Sequence, residues 1–136
     1  MYSRIRERIE KILETYRHRV IRIDDDWPAE VQRAVSCIKD HIFDQNLSVK
    51  WLKKKCRIND NNFSGKFKFY VGMSPQKYYL YHRIEVAKKI LTTPELKDTA
   101  MMHIALHIGF ENHSSFSTTF KNYVGCTPTA FRDENF

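Results

Sequence analysis

The chain has few glycines, prolines and cysteines, and it lacks a long apolar run. Its 136 residues include only 4 glycines, 4 prolines and 3 cysteines. The glycines form no loop that could cradle a phosphate, and no nucleophile, base and orienting group stand in a recognisable order. No run approaches the ~18 apolar residues of a membrane span, and the N-terminus, MYSRIRERIEKI, lacks the apolar core of a secretory signal. We therefore predict a cytoplasmic protein that is not an enzyme and needs no cofactor.

The cysteines and histidines form no recognisable metal site. Cys37, Cys56 and Cys126 are odd in number, lie far apart and include no C-x-x-C pair, which predicts free thiols in a reducing compartment. His103 and His107 have the i, i+4 spacing of two helical ligands. No glutamate completes an H-E-x-x-H motif and no third ligand is evident, so we interpret both histidines as structural.

The charge balance predicts a polyanionic partner. Lysine and arginine outnumber aspartate and glutamate by 23 to 16, which gives a net charge of +7. A basic domain of this size is attracted to polyanions. Charge alone does not distinguish DNA, RNA and a membrane surface.

A repeat organises the rest of the chain. Residues 59–75, NDNNFSGKFKFYVGMSP, recur 53 positions later as residues 112–128, NHSSFSTTFKNYVGCTP. Each copy predicts a helix with a capping asparagine, an aromatic face turned inward, a glycine stop, and a Ser-Pro or Thr-Pro start of the next helix. The matched pairs are Asn59 and Asn112, Phe63 and Phe116, Phe67 and Phe120, Tyr70 and Tyr123, Gly72 and Gly125, and Pro75 and Pro128.

Hydrophobic periodicity and cap residues predict an all-α fold. Helices are expected over residues 1–23, 27–44, 49–56, 74–92, 100–108 and 127–132, with two further helices that begin at Asn59 and Asn112. Short helix–turn–helix arrangements then precede and follow the long helix. We predict an N-terminal extension, residues 1–26, and a double helix-turn-helix domain, residues 27–136. The domain divides into a subdomain 27–73, a linker helix 74–92 and a subdomain 93–136.

Two interpretations of the N-terminal helix remain open. An apolar stripe repeats at spacings of four, three, four and four, and comprises Ile5, Ile9, Ile12, Tyr16 and Val20. It could form a coiled coil that makes a homodimer through residues 5–23. It could instead pack on its own domain, an interpretation that the small number of heptads favours.

The motifs around the repeat resemble the DNA-binding domain of AraC/XylS-type transcription regulators. The resemblance covers roughly residues 28–132. It rests on Phe67-Lys68, Gly72, Ser74-Pro75, Arg83-Ile84, Ala87, Ile104-Ala105, Gly109-Phe110, Phe116, Phe120-Lys121, Gly125 and Thr127-Pro128. It implies seven helices whose third and sixth members enter neighbouring major grooves of double-stranded DNA. It also implies a bacterial, nucleoid-associated activator that contacts RNA polymerase.

The resemblance assigns site residues position by position. Base-facing residues would be Asn61, Asn62, Ser64 and Gly65 on the first recognition helix, and His113, Ser114, Ser117 and Thr118 on the second. Phosphate-facing residues would be Lys50, Lys54, Lys55, Lys68 and Lys121. These are the faces left over once the aromatic residues point inward. Asparagine can pair with adenine, and serine or threonine can contact several base edges.

Departures from the family pattern concentrate in the first unit. Lys53 and Lys66 replace apolar residues, and Arg57 replaces a turn glycine. Gly65 and Thr118 stand where the family often has a base-reading arginine, the side chain of the commonest specific contact. We expect both lysines to extend their ammonium groups outward. The first unit should therefore read DNA less specifically than the second.

Three functions are compatible with these patterns. The first is a sequence-specific regulator that binds double-stranded DNA. The second is a protein-interaction module that has lost DNA reading and binds a partner through its N-terminal helix, an interpretation that Gly65 and Thr118 favour. RNA binding is the third, and it fits less well because a helix reads the grooves of B-form DNA more readily than those of A-form RNA.

Overall fold

The chain folds entirely as helices and turns over the residues that its computed structural model describes, 2–136. Met1, the first residue of the predicted N-terminal helix, lies outside this range. The helices are α1 Tyr2–Val20, α2 Ala29–His41, α3 Val49–Lys55, α4 Phe63–Val71, α5 Pro75–Leu91, α6 Met101–His107, α7 His113–Val124 and α8 Pro128–Glu134. A 3-10 turn, Pro94–Leu96, follows α5. The predicted all-α class is confirmed. Over residues 2–136 no helix is both long and apolar enough to span a membrane.

Helices α2, α3 and α4 form the first unit around the apolar side of α2. The buried residues of this side recur at helical spacing, and Val31, Ala34, Val35 and Ile38 are all fully buried. Helix α2 packs against both α3 and α4. The aromatic residues of α4 continue this core, because the Phe67 ring meets Tyr78 at the start of α5 with 5.6 Å between centroids. The first unit is therefore fixed to the linker helix.

Helices α6, α7 and α8 form the second unit in the same way. Phe116 and Phe120 of α7 are fully buried, like Phe63 and Phe67 of α4. The Phe120 ring lies 5.4 Å from that of Phe131 on α8. Helix α7 also packs against α5. The two repeated helices thus dock on one shared linker helix.

A buried arginine on the linker helix connects the two units. Arg83 is only 4% exposed. Its Nε donates to the carbonyl oxygen of Ile42 at 2.7 Å, and its Nη2 donates to that of Asp44 at 2.8 Å, just beyond the end of α2. Its guanidinium also lies over the ring of Phe110, 5.6 Å from the centroid. At Gly109 an added Cβ would lie 2.7 Å from the Arg83 Cζ. Gly109 and Phe110 of the second unit therefore pack against the same guanidinium that binds the end of α2 in the first unit.

The N-terminal helix packs on its own chain, against α5 and α6. Ile9 and Tyr16 of the apolar stripe are buried. The Tyr16 hydroxyl shares a hydrogen bond of 2.5 Å with the Nδ1 of His82 on α5, and Arg8 Nε lies 2.9 Å from a Glu95 carboxylate oxygen. Of the stripe residues only Val20 is largely exposed, at 43%. The apolar seam that a coiled coil through residues 5–23 would need is thus used within the chain, and the helix ends at residue 20.

The two repeated helices begin differently. Asn112 caps α7 as predicted, because its Oδ1 accepts a hydrogen bond from the Ser115 N–H at 2.8 Å. The prediction that Asn59 caps α4 is wrong, because α4 begins only at Phe63. The carboxylate of Asp60 accepts from the Asn62 N–H at 2.8 Å, and this local turn competes with an earlier helix start. As a result α4 has 9 residues and α7 has 12.

The remaining helix caps lie where the sequence predicts them. Ser48, Ser74 and Thr127 each accept a hydrogen bond from a backbone N–H in the first turn of the helix that follows. Gly72 and Gly125 end α4 and α7 in the left-handed conformation, with φ of 101° and 98°. The repeated helix stops and starts are therefore confirmed, except at the beginning of α4.

Matched substitutions should distinguish the two asparagines. Asn112→Ala is expected to lower the free energy of unfolding by about 1 kcal/mol, because a backbone donor of α7 loses its partner. Asn59→Ala should change it by less than about 0.5 kcal/mol, since the residue is exposed and caps nothing. Equilibrium unfolding in urea measures both. Equal losses in the two variants would contradict the difference between the helix starts.

Candidate nucleic-acid interface

Helices α4 and α7 each bury an aromatic face and expose a polar one. The phenylalanines are fully buried, whereas Tyr70 and Tyr123 are 41% and 44% exposed and lie at the edge of the core. The prediction that both tyrosines are buried is therefore wrong. The Tyr123 hydroxyl donates to the Lys77 carbonyl oxygen of α5 at 3.3 Å, which fixes the C-terminal end of α7 to the linker helix. The polar side of each helix is therefore exposed to solvent.

The polar face of α7 lies on one continuous helix. His113, Ser114 and Thr118 are exposed, and Ser117 is half-buried. Lys121, one turn further along, is exposed beside this row. The predicted base-facing and phosphate-facing residues of the second unit therefore share a single rigid surface.

The corresponding residues of the first unit do not lie on one helix. Asn61 and Asn62 occupy the turn before α4, and only Ser64, Gly65 and Lys68 lie on the helix itself. The Asn62 side chain lies over Gly65, because a Cβ added at Gly65 would be 2.7 Å from the Asn62 Oδ1. The expectation that all four base-facing residues sit on the recognition helix is wrong for the two asparagines, because Asp60 delays the helix start.

Ion pairs hold the beginning of α4 in place. The Lys66 ammonium lies 2.7 Å from an Asp60 carboxylate oxygen and 3.2 Å from one of Glu30 on α2. The hydrogen bond from Lys66 lowers the pKa of Asp60, and the same contact raises the pKa of Lys66. The Lys66 side chain is 44% exposed, so its ammonium stays at the surface as expected. Lys66 is committed to these pairs rather than to a partner.

The turn before each recognition segment uses a left-handed residue. Gly109 has this conformation after α6, with φ of 101°, and Arg57 has it after α3, with φ of 55°. A left-handed conformation costs a residue with a Cβ roughly 1–2 kcal/mol. The first unit thus carries backbone strain in its turn where the second carries a glycine.

The lysines of α3 extend the basic surface of the first unit. Lys50, Lys54 and Lys55 are exposed, and Lys53 is half-buried. Lys68, in the last turn of α4, is exposed as well. Phosphate contacts from such side chains fix register without reading sequence.

One exposed aromatic residue was missed by the sequence analysis. Phe69 of α4 is 80% exposed, and its ring meets that of Tyr70 edge to face. Its counterpart in the repeat is Asn122, which is exposed. The contrast between these two residues is the signal that could have revealed it.

The second histidine of α6 is bonded to the backbone of the first. His107 Nδ1 donates to the carbonyl oxygen of His103 at 2.7 Å. Within residues 2–136 no three His, Cys, Asp or Glu side chains come together in a way that could hold a metal ion.

Comparison with known proteins places this geometry in a family. A family model described as a helix-turn-helix domain matches residues 52–134. The chain is 34% identical over 106 residues to the transcriptional regulatory protein YesN of Bacillus subtilis, a match that covers 76% of this chain and 28% of YesN. The chain spans less than half the length of this and the other first curated relatives it matches.

Solved structures share the fold. The C-terminal domain of the two-component response regulator yesN from Fusobacterium nucleatum matches with a TM-score of 0.66 and 30% identity, over 73% of this chain and 93% of that domain. The DNA-binding domain of the global transcriptional factor AdpA, solved in complex with a target DNA, matches with a TM-score of 0.67 and 20% identity. That match covers 79% of this chain and 93% of the AdpA domain, and it supports the fold alone.

Proposed function

The chain belongs to the AraC-type helix-turn-helix family, and from this membership we propose that it is a sequence-specific transcription regulator that binds double-stranded DNA. Helices α4 and α7 would enter neighbouring major grooves on one side of the duplex. The observation that carries the proposal is the duplicated pair of helices, each with a buried aromatic face and an exposed polar one, docked on one linker helix.

The dimensions of the linker helix support this arrangement. Helix α5 has 17 residues and is therefore about 26 Å long. Successive major grooves on one face of B-form DNA lie about 34 Å apart. The length of the spacer is therefore comparable with the separation of the two grooves.

The site residues have distinct roles in this proposal. Asn61, Asn62, Ser64 and Gly65 of the first unit and His113, Ser114, Ser117 and Thr118 of the second face the bases. Lys50, Lys54, Lys55, Lys68 and Lys121 neutralise phosphates. By family analogy the protein acts as an activator at the nucleoid of a bacterial cytoplasm and contacts RNA polymerase. The family is not a class of enzymes.

The alternative of a protein-interaction module, which Gly65 and Thr118 favour, places its partner on the N-terminal helix. That function required an unoccupied apolar seam on the N-terminal helix. Ile9 and Tyr16 are buried against the protein's own helices, so the seam is already filled.

Selection of binding sites from random duplexes, followed by titration against competitor DNA, tests the proposal. We expect a recovered consensus of two half-sites one helical turn apart, because two recognition helices read one face of the duplex. Recovery of no consensus, together with binding that competitor DNA abolishes, would overturn the sequence-specific function.

Salt dependence should identify the phosphate contacts. Lys68→Gln and Lys121→Gln, at equivalent positions of the repeat, are each expected to reduce the slope of log K against log salt by about one. Each should weaken binding to specific and non-specific duplexes alike. Lys11→Gln on α1 removes the same charge and should leave the slope unchanged. Equal slopes in all three variants would show that the total charge, rather than these contacts, drives binding.

The two half-sites should differ in information. The half-site under α7 is expected to be the more strongly specified, because its readers share one helix whereas Asn61 and Asn62 lie in a turn. A well-placed side chain discriminates against a wrong base by about 1–3 kcal/mol. Affinities for duplexes mutated in one half-site at a time measure the difference. Equal penalties in both half-sites would refute it.

A further inference from the structure

Two of the three cysteines meet in the first unit. Cys37 lies on α2 and Cys56 caps the C-terminal end of α3, 19 positions further along the chain. Both side chains line one surface cavity between α2 and the end of α3. The Cys56 thiol also lies 3.8 Å from the carbonyl oxygen of Arg33. The packing of α2 on α3 therefore brings together two cysteines that form no recognisable motif in the sequence.

Both thiols open onto the same cavity. It has a volume of about 530 Å³ and reaches the solvent, within the range of pockets that hold small molecules. Arg33, Lys55 and Arg57 line it with positive charge, and Asp40 is the one carboxylate among its lining residues. A small anionic molecule is therefore drawn to the place where the thiols are accessible.

We propose that Cys37 and Cys56 form a reversible disulfide within the chain, and that the oxidant is an anionic, low-molecular-weight disulfide of the glutathione type. In the first step a thiolate at Cys56 attacks one sulfur of the oxidant, which gives a mixed disulfide and releases one glutathione thiolate. In the second step the Cys37 thiol loses its proton to solvent and attacks the Cys56 sulfur. The protein disulfide forms, and the second glutathione leaves with the electron pair. One molecule of glutathione disulfide is thus reduced to two thiols.

The surroundings of the two sulfurs set this order. Burial, and then the hydrogen bond with Cys56, raise the pKa of Cys37 to about 12. Cys37 therefore keeps its proton while Cys56 reacts, and it loses that proton to solvent only in the second step. Attack requires a thiolate, so the more protonated thiol acts second.

The disulfide would join α2 to the end of α3, immediately before the strained Arg57 turn that leads to α4. A cross-link of this loop length restricts the unfolded chain, so the oxidised protein should melt about 5 to 10 °C higher than the reduced one. The reaction does not depend on DNA binding and can be tested without a duplex.

The test uses the whole chain with Cys126→Ser, which removes the third thiol. The folded protein is incubated with glutathione disulfide, the remaining thiols are blocked with N-ethylmaleimide, and the intact mass is measured. We expect a monomer that has lost two hydrogens, a cross-linked peptide pair containing Cys37 and Cys56, reversal by dithiothreitol, and the raised Tm. Glutathione adducts alone, disulfide-linked dimers, or unreacted thiols would each overturn the proposal.

Two further variants test the order of the steps. Adding Cys37→Ser to the Cys126→Ser protein should stop the reaction at a glutathione adduct on Cys56. Adding Cys56→Ser instead should leave Cys37 reacting at least tenfold more slowly, because its thiol stays protonated. Thermal melting shows whether each variant is folded. Equal rates at the two cysteines in folded variants would contradict the assigned order, and the Cys126→Ser protein alone decides whether the disulfide forms.

Discussion

Replacing Arg83 with methionine is expected to lower the free energy of unfolding by about 3 to 4 kcal/mol, the largest loss among the substitutions considered. Methionine fills much of the same volume but donates no hydrogen bond. The carbonyl oxygens of Ile42 and Asp44 would lose the donors at 2.7 and 2.8 Å that now satisfy them. Each buried acceptor left without a partner costs about 1–3 kcal/mol.

The position of Arg83 makes this loss difficult to relieve. Within residues 2–136 no carboxylate forms an ion pair with the guanidinium. Two backbone carbonyls and the rings of Tyr79 and Phe110 surround it. Burial lowers the pKa of Arg83 to about 10, so the group remains charged at neutral pH. Only a planar side chain with several N–H donors can bind both carbonyl oxygens at once.

Unfolding in guanidinium chloride, followed by circular dichroism, measures the effect. Arg83→Lys keeps the charge but presents a single ammonium, and should recover less than half of the loss. Lys89→Met, an exposed position on the same helix, serves as the control and should change stability by less than about 0.5 kcal/mol. If Arg83→Met were as stable as the control, the guanidinium would not be the link between the two units.

The second large effect is a loss of stability at acid pH that depends on His82. Its imidazole is enclosed by Tyr16 and by Tyr78, whose ring lies 4.6 Å away, and stacks on Tyr81 at 5.2 Å. Burial lowers the pKa of His82 to about 4, against the opposing attraction of Glu85. The folded protein therefore holds this histidine neutral at pH values where the unfolded chain protonates it.

The direction of the effect follows from this difference. The ordinary value in an unfolded chain is 6.5, so above that pH both states are neutral and the stability is fully present. Between pH 6.5 and 4 the unfolded chain binds a proton that the folded one does not, and the free energy of unfolding falls. We expect a loss of about 2 to 3 kcal/mol across this window. Below the lower value the contribution from His82 becomes constant.

Urea unfolding at a series of pH values measures this dependence. Carboxylates also titrate in the lower part of the window, so the contribution of His82 is the difference from His82→Asn, which keeps a polar atom near Tyr16 but does not titrate. The variant should show a correspondingly shallower decline. Parallel curves for the parent and His82→Asn would exclude His82 as the cause.

The repeat and the helical periodicity predicted most of the fold. The four phenylalanines of the repeat are fully buried as expected. Large apolar side chains that recur on one face of a helix are stable only when that face packs into the core. Serine or threonine before proline marks a helix start reliably, since the cap and the ring constrain the same turn. The prediction failed at the start of α4, where Asp60 offers the backbone a competing turn.

Contacts between distant parts of the chain could not be predicted in the same way. Spacing in the sequence separated Cys37 from Cys56, and only the packing of α2 on α3 brings them together. The interpretation of the N-terminal stripe likewise depended on whether a surface existed on α5 and α6 to receive it. For the candidate interface, the sequence indicated which residues are polar and exposed but not that Asn61 and Asn62 lie in a turn.

The amide of Asn62 over Gly65 bears on how the target preference of this protein could change. A side chain at position 65 can form only if that amide turns away, because its oxygen lies 2.7 Å from where the first carbon would stand. The two positions are therefore expected to accept new residues jointly. A library that randomises 62 and 65 together would reach base preferences that a scan of single positions passes over.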